Sequence, residues 1–273
     1  MTAATGAKSI SVALDGVATG GTIDLAEETA GNVETVNVSG SVATTAGANA
    51  LTIGSTGTPA NGTALTDLSA LNVSLTSNTT VTVSSAAAAN IETLDMSGST
   101  GNLSATITAE DYDAEEVAVT FGSGNDSITL DHDDGATAGR AMTITLGDGD
   151  DSLTLSQASG NLFAADDQAD LEASLITVAD FAAADDTIDV SALAARNAQN
   201  LVDAQISGLA DGATLFDAVE SVAGLGNMSV FEFEGSTYIF NDTDAGSDLT
   251  AGDTLIELAG VAIGDLGANN FVA

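Results

Sequence analysis

Phe121-Gly122-Ser123-Gly124-Asn125-Asp126-Ser127-Ile128-Thr129-Leu130 and Leu146-Gly147-Asp148-Gly149-Asp150-Asp151-Ser152-Leu153-Thr154-Leu155 decide how this chain is read. They share one frame: apolar, small, any, small, any, Asp, Ser or Thr, aliphatic. Phe181-Ala182-Ala183-Ala184-Asp185-Asp186-Thr187-Ile188-Asp189-Val190 repeats it in degenerate form. The first six positions make a turn, in which Gly permits a tight backbone and lets carbonyl oxygens converge. The sixth supplies a carboxylate, and the last three form a short strand whose aliphatic residue (Ile128, Leu153, Ile188) points inward. Calcium takes six to eight oxygen ligands in irregular geometry, so carbonyls and Asp from adjacent turns suit it better than Mg²⁺, which demands a tight octahedron. The candidate ligand-bearing residues are Gly122, Gly124, Asn125 and Asp126; Gly147, Asp148, Gly149, Asp150 and Asp151; and Asp185 and Asp186. The competing reading is a set of tight hairpin turns with Asp chosen for turn propensity.

Working outward, Asp126 and Asp151 stand 25 residues apart, whereas uniform nine-residue units would place them at multiples of nine. An insertion, Asp131 to Arg140 with Asp133 and Asp134, is therefore expected to interrupt the stack. A second acidic loop, Asn241-Asp242-Thr243-Asp244-Ala245-Gly246-Ser247-Asp248, begins like a calcium loop, with Asp242, Asp244 and Asp248 as candidates. It lacks the closing Glu and flanking helices of an EF-hand.

Forty acids face three bases (Lys8, Arg140, Arg196), a formal charge of −37 over 273 residues. Such a chain repels itself when compact, and it repels nucleic acid and anionic membrane. Acids spread evenly would indicate only a solvated surface; acids gathered in Gly-bearing loops point to cations that neutralise them on folding. Cysteine is absent, which removes disulfides and thiolate metal sites. No apolar run reaches membrane-spanning length, and the first residues show no apolar core of a cleavable signal.

The organisation expected is mainly β. Residues 1–120 read as a repetitive β-solenoid-like region, with alternation in Ser9-Ile10-Ser11-Val12-Ala13-Leu14 and Thr79-Thr80-Val81-Thr82-Val83-Ser84. An internal echo, Asn32-Val33-Glu34-Thr35-Val36-Asn37-Val38-Ser39-Gly40-Ser41 against Asn90-Ile91-Glu92-Thr93-Leu94-Asp95-Met96-Ser97-Gly98-Ser99, suggests stacked β-units. Residues 121–190 form the calcium-binding parallel β-roll. Residues 191–273 form a small β-rich cap, with short helices at Ser191–Ala195 and Thr214–Val219 and strands at 229–233, 236–240 and 255–258.

At the acidic Gly loops the chain resembles the RTX family of bacterial type I secretion substrates, whose nonapeptide is Gly-Gly-x-Gly-x-Asp-x-U-x with U a large aliphatic residue. Phe121 and Leu146 replace the first Gly. The resemblance covers roughly residues 118–273. Ile176-Thr177-Val178-Ala179-Asp180-Phe181 and Asp186-Thr187-Ile188-Asp189-Val190-Ser191-Ala192-Leu193 look like the segment closing the roll in serralysin-type domains. Gly235-Ser236-Thr237-Tyr238-Ile239-Phe240, Asp253-Thr254-Leu255-Ile256-Glu257-Leu258-Ala259-Gly260-Val261 and Asn270-Phe271-Val272-Ala273 look like the final strands and an uncleaved secretion signal. The N-terminal half is similar in style to Thr/Ser/Gly-rich regions of calcium-dependent S-layer proteins. The resemblance implies Ca²⁺ as cofactor, the type I secretion apparatus as partner during export, and a secreted, extracellular or cell-surface location.

Catalysis is not expected. His132 is the only histidine, so His-Glu-x-x-His zinc chemistry is excluded, and no Gly-x-Ser-x-Gly elbow is present. With no Trp and two Tyr, aromatic sugar platforms are scarce. The expectation is a calcium-dependent structural protein that self-assembles into a surface layer or fibre. The alternative is an RTX adhesin or non-catalytic secretion module, with cell-surface polysaccharide as a partner class.

Overall fold

The computed structural model describes residues 2–3, 9–18, 20–27, 33–43, 49–54, 67–83, 90–108, 116–131, 141–156, 165–191, 200–201, 209–223, 228–242, 249–250, 252–267 and 269–272. It is mainly β, with sheets of parallel strands. The chain packs as two units, Met1–Thr129 with Leu146–Asp151, and Leu130–Thr145 with Ser152–Ala273.

In the first unit, β1 (Thr2–Ala3) and β4 (Ala26–Glu27) form a small parallel pair. The other strands alternate between two sheets as the chain advances. One sheet holds β2 (Ser9–Val17), β5 (Thr35–Val42), β7 (Ala70–Leu75), β9 (Thr93–Asp95) and β11 (Glu116–Thr120), side by side and parallel. The other holds β3 (Gly21–Asp24), β6 (Ala50–Gly54), β8 (Thr79–Val83) and β10 (Leu103–Thr108), also parallel. β12 (Ser127–Asp131) follows the first Gly loop. Each strand thus pairs with the strand two places along, and the chain runs in circuits.

Period-two alternation sets the register. Ile10, Val36, Leu71, Leu94 and Val119 form one inward rank, with Val36, Leu71 and Val119 fully buried. The neighbouring outward rank is Ser11, Asn37, Asn72, Asp95 and Thr120, where the Asn72 amide donates to Asn37 Oδ1 at 2.8 Å. A one-residue slip would expose every member of the inward rank. Burying each such side chain stabilises by about 1.5–3 kcal/mol. Val12 and Leu14 carry the inward pattern of β2 but are only half-buried. The echoed segments stack as expected: Thr35 and Thr93 share a rank, with Ala70 between them.

The second unit has β13 (Ala141–Thr145), β15 (Ile176–Val178) and β20 (Thr254–Leu258) in parallel. β20 then takes β19 (Ser236–Asn241) antiparallel, β19 takes β18 (Met228–Phe233) antiparallel, and β17 (Asn200–Leu201) lies parallel to β18. The other sheet is β14 (Ser152–Leu155), β16 (Thr187–Asp189) and β21 (Phe271–Val272). The three strands expected at 229–233, 236–240 and 255–258 are therefore present, the first two as a hairpin turning at Glu234-Gly235.

Here a bulkier core forms. Leu171, Leu215, Val219, Val222, Phe231 and Phe240 cluster, and the Phe231 and Tyr238 rings stack with centroids 5.4 Å apart. The helix expected at Thr214 is α2 (Leu215–Val222). Its capping box has the Asp217 amide donating to Thr214 Oγ1 at 3.2 Å, and the Thr214 amide donating to Asp217 Oδ2 at 2.7 Å. Those bonds hold the exposed Asp217 carboxyl below its usual range. α1 (Gln168–Glu172), capped by Asp167, was not expected from the sequence. Of the helix expected at Ser191–Ala195, only Ser191 lies among the described residues.

Candidate metal-binding loops

The turns entering β10, β12 and β14 are built by short β-forming runs that each end in a Gly-bearing corner. The loops Gly122–Asp126 and Leu146–Asp151 both belong to the first unit, and they stack on each other. The Asp148 amide donates to the Gly122 carbonyl at 3.0 Å, and the Asp126 amide donates to Asp151 Oδ1 at 2.7 Å across 25 residues. A β-carbon on Gly147, which sits at φ +97, would collide with the Gly122 carbonyl oxygen; one on Gly122 would collide with the Ser99 carbonyl. Glycine is needed here because backbone meets backbone.

This stacking corrects the expectation that an insertion breaks the series. Twenty-five residues is one full circuit, so the two loops occupy the same corner of successive circuits. Asp133, Asp134 and His132 lie outside the described residues, as do Lys8, Arg140 and Arg196; of Asp131 only the backbone is described.

Two hydrogen-bonded ladders run through the corner. In the first, Asn49 Nδ2 donates to the Asn78 carbonyl at 2.7 Å, and the Asn102 amide donates to Asn78 Oδ1 at 3.0 Å. The Asn125 amide donates to Asn102 Oδ1 at 3.1 Å, and Asn125 Nδ2 reaches Asp150 Oδ2 at 3.4 Å. In the second, the Leu103 amide donates to Asp126 Oδ1 at 2.7 Å, and the Asp126 amide donates to Asp151 as above. The stretch Ser99-Thr100-Gly101-Asn102-Leu103 is thus an earlier member of the series, with Gly101 beneath Gly124. Sequence reading missed it because Leu103 stands where Asp would be; the shared Gly-Asn pair was the signal.

The frame also sorts by burial. Gly122, Gly124, Asp126 and Asp151 are buried; Asn125, Asp148 and Asp150 are exposed, and Gly147 and Gly149 are half-buried. Asp126 is 2% and Asp151 1% exposed. Oδ2 of Asp126 is buried with no hydrogen-bond partner. Burial pushes the Asp126 carboxyl up to about 6, against the opposing pull of the Leu103 and Gly122 amides. Among the described residues no group of three or more His, Cys, Asp or Glu side chains converges to hold a metal. An ion at this corner would therefore need main-chain carbonyls beside Asp126 and Asp151. That donor set, hard oxygens with a buried carboxylate oxygen left unbonded, fits calcium.

The third loop lies in the second unit and closes on itself. The Ala182 amide donates to Asp186 Oδ2 at 2.7 Å, and Asp186 is buried while Asp185 is exposed. Asn270 Nδ2 donates to the carbonyls of Ala183 at 2.8 Å and Asp186 at 2.9 Å, tying this turn to the segment before β21. Sequence reading did not assign Asn270 this role. β14 and β16 pair Ser152 with Thr187 and Leu153 with Ile188, so the second and third copies share their frame through the strand. Asp242 is buried at the end of β19; Asp244 and Asp248 lie outside the described residues.

No helix among the described residues is long and apolar enough to cross a membrane. No protein-family model matches the chain, and no curated protein matches it in sequence.

Proposed function

We propose that this is a calcium-dependent structural protein of the RTX type, a parallel β-solenoid exported to the cell exterior, where it assembles into a surface layer or fibre. The observation that carries this reading is the stacked pair of Gly loops, with Asp126 buried between circuits and one of its carboxylate oxygens unbonded. An ionised carboxylate so placed is costly unless a cation or proton joins it. Carbonyls of the two loops, with Asp126 and Asp151, would hold the ion, and Asp148 and Asp150 would add surface charge that attracts it. Asp186 in its self-closed turn and Asp242 are secondary candidates.

The charge supports the same reading. A chain at −37 resists compaction where free calcium is scarce and gains from cations where it is abundant. One site filled at about a hundred times its dissociation constant adds roughly 2.7 kcal/mol, a large share of a typical total of about 5–15 kcal/mol. The repetitive, low-aromatic first unit supports a structural role over a catalytic one.

Calorimetric calcium titration with parallel circular dichroism tests this. Calcium should bind and raise the thermal midpoint, and Asp126→Asn should weaken both effects. Unchanged dichroism and midpoint across the titration would remove the calcium reading.

A further inference from the structure

The outward faces of the two sheets of the first unit treat their polar groups differently. On the sheet of β2, β5 and β7 these groups bond one another. Asn37 Nδ2 donates to Ser9 Oγ at 3.2 Å, Asn72 Nδ2 to Asn37 Oδ1 at 2.8 Å, and Ser74 Oγ to the Gly98 carbonyl at 2.8 Å. On the sheet of β3, β6, β8 and β10 they do not. Thr22, Thr52 and Thr82 stand in one outward rank, and Ala50, Thr80 and Ser104 stand in the next. Thr106 and Thr129 continue the Thr rank in frame: each follows its ladder amide, Asn102 or Asn125, by four residues, as Thr82 follows Asn78. Thr22, Thr82, Ser104 and Thr106 are exposed, and among the described residues no hydroxyl of these two ranks has a hydrogen-bond partner. The ranks hold no charged side chain; Asp24, half-buried, lies at their margin two residues past Thr22.

The fold fixes the spacing of this array, at about 4.8 Å from strand to strand and about 6.6 Å between ranks along a strand. The usual occupants find little to hold there. A protein partner is anchored by aromatic or Arg side chains, and a small ligand by a concavity with convergent polar groups. Nucleic acid needs Lys or Arg. A soluble partner also gains nothing from the same side chain repeated at every step. What a hydroxyl and a methyl group recurring at fixed intervals in two directions can match is a surface that repeats as well.

We propose that this face binds ice. The two intervals approach the oxygen repeats on a prism plane of hexagonal ice, so successive Thr hydroxyls can take lattice positions while their methyl groups sit in the open hexagons beside them. Each hydroxyl must then both donate to and accept from lattice water, which it can do only if the chain has not already engaged it. Neutrality serves the same end, because a charged side chain holds a hydration shell that the lattice cannot accommodate. The strands are held in register by main-chain bonds on either side, so little ordering remains to be done on contact. This reading goes beyond that of an exported structural protein and depends neither on self-assembly nor on the calcium loops.

Thermal hysteresis and partition into a growing ice front, both measured on the full chain at saturating calcium, test this. The unaltered chain should stop crystal growth over an interval below the melting point and be enriched in the ice. Thr52→Tyr and Thr82→Lys should each lose most of both effects. Ser39→Tyr, at an exposed outward position of the other sheet, should lose neither. An unaltered chain excluded from ice, rank variants that behave like the unaltered chain, or an equal loss in Ser39→Tyr would overturn the proposal. So would binding to crystalline cellulose without any effect on ice, which would assign the face to polysaccharide. Should Thr52→Tyr fail to fold by circular dichroism, Thr82→Lys and Thr106→Lys, both at exposed positions, decide the matter by the same readouts. Calcium-induced dichroism on the same samples reads the calcium proposal separately, and either result there leaves the contrast between the two sheets to be scored.

Discussion

One corner of the first unit is built twice over in different chemistry. Through Asn49, Asn78, Asn102 and Asn125 it is tied by uncharged side-chain amides, which bond to the main chain of the neighbouring circuit. From Asp126 through Asp150 and Asp151 the same corner is tied by carboxylates, which only accept. What changes is the cost of an unmet group: Asn49 Oδ1 and Asp126 Oδ2 are both buried without a hydrogen-bond partner, but only the carboxylate oxygen carries charge. The neutral stretch is equipped to fold on its own chemistry, and the acidic stretch waits for a cation or a proton.

The strongest way to break the comparison is to keep the two chemistries from stacking. Gly147→Ala places a β-carbon against the Gly122 carbonyl at a positive φ, and should cost about 3–5 kcal/mol in denaturant unfolding with calcium present. Gly20→Ala, at φ +77 with open space around it, should cost only about 1 kcal/mol. Next in size is removal of the proposed calcium. Chelation should lower stability by about 3 kcal/mol per saturated site, and this increment should shrink in Asp126→Asn and persist in Asn102→Ala.

Acidity sharpens the contrast further. Asp126 titrates near 6 in the folded chain against an ordinary 3.8, so the folded state binds its proton more tightly. In this window the folded state holds more protons than the unfolded one, so stability rises as pH falls from about 6 towards 4. The metal-free chain should therefore gain stability on mild acidification, and Asp126→Asn should remove the part due to this group. Melting curves of both proteins across that range, taken in chelator, check it. Among the smaller effects, Asn102→Ala should cost about 1 kcal/mol with or without calcium, by freeing the Asn125 amide. Thr214→Ala, which removes the cap of α2 in the second unit, should cost about 0.5–1 kcal/mol and be blind to calcium.

Much of this corner was legible in the sequence, because the Gly and Asp of the frame are the residues the stack physically requires. The circuit length was not. Asp126 and Asp151 sit one circuit apart, and a chain of variable turns hides that period: the ladder steps are 29, 24, 23 and 25 residues. Asn78 and Asn102 escaped for the same reason, since a column of single amides at uneven intervals has no local signature. Leu103 concealed the preceding member of the series by offering only its backbone amide to Asp126. The helix at Gln168 was hidden by its brevity, although Asp167 is a ready N-cap. The third loop kept the frame in sequence while Asn270, 84 residues from Asp186, took up its carbonyls.

The rank shared by Thr35, Ala70 and Thr93 has a hereditary consequence. Because each circuit meets its neighbours through the same register, tandem duplication of a whole circuit inserts a layer without disturbing those on either side. The echo of Asn32–Ser41 in Asn90–Ser99 falls two circuits along, which is the mark that copying a block of two circuits would leave. Length is then a trait that recombination can adjust in discrete steps, while the ends and the acidic corner keep their chemistry.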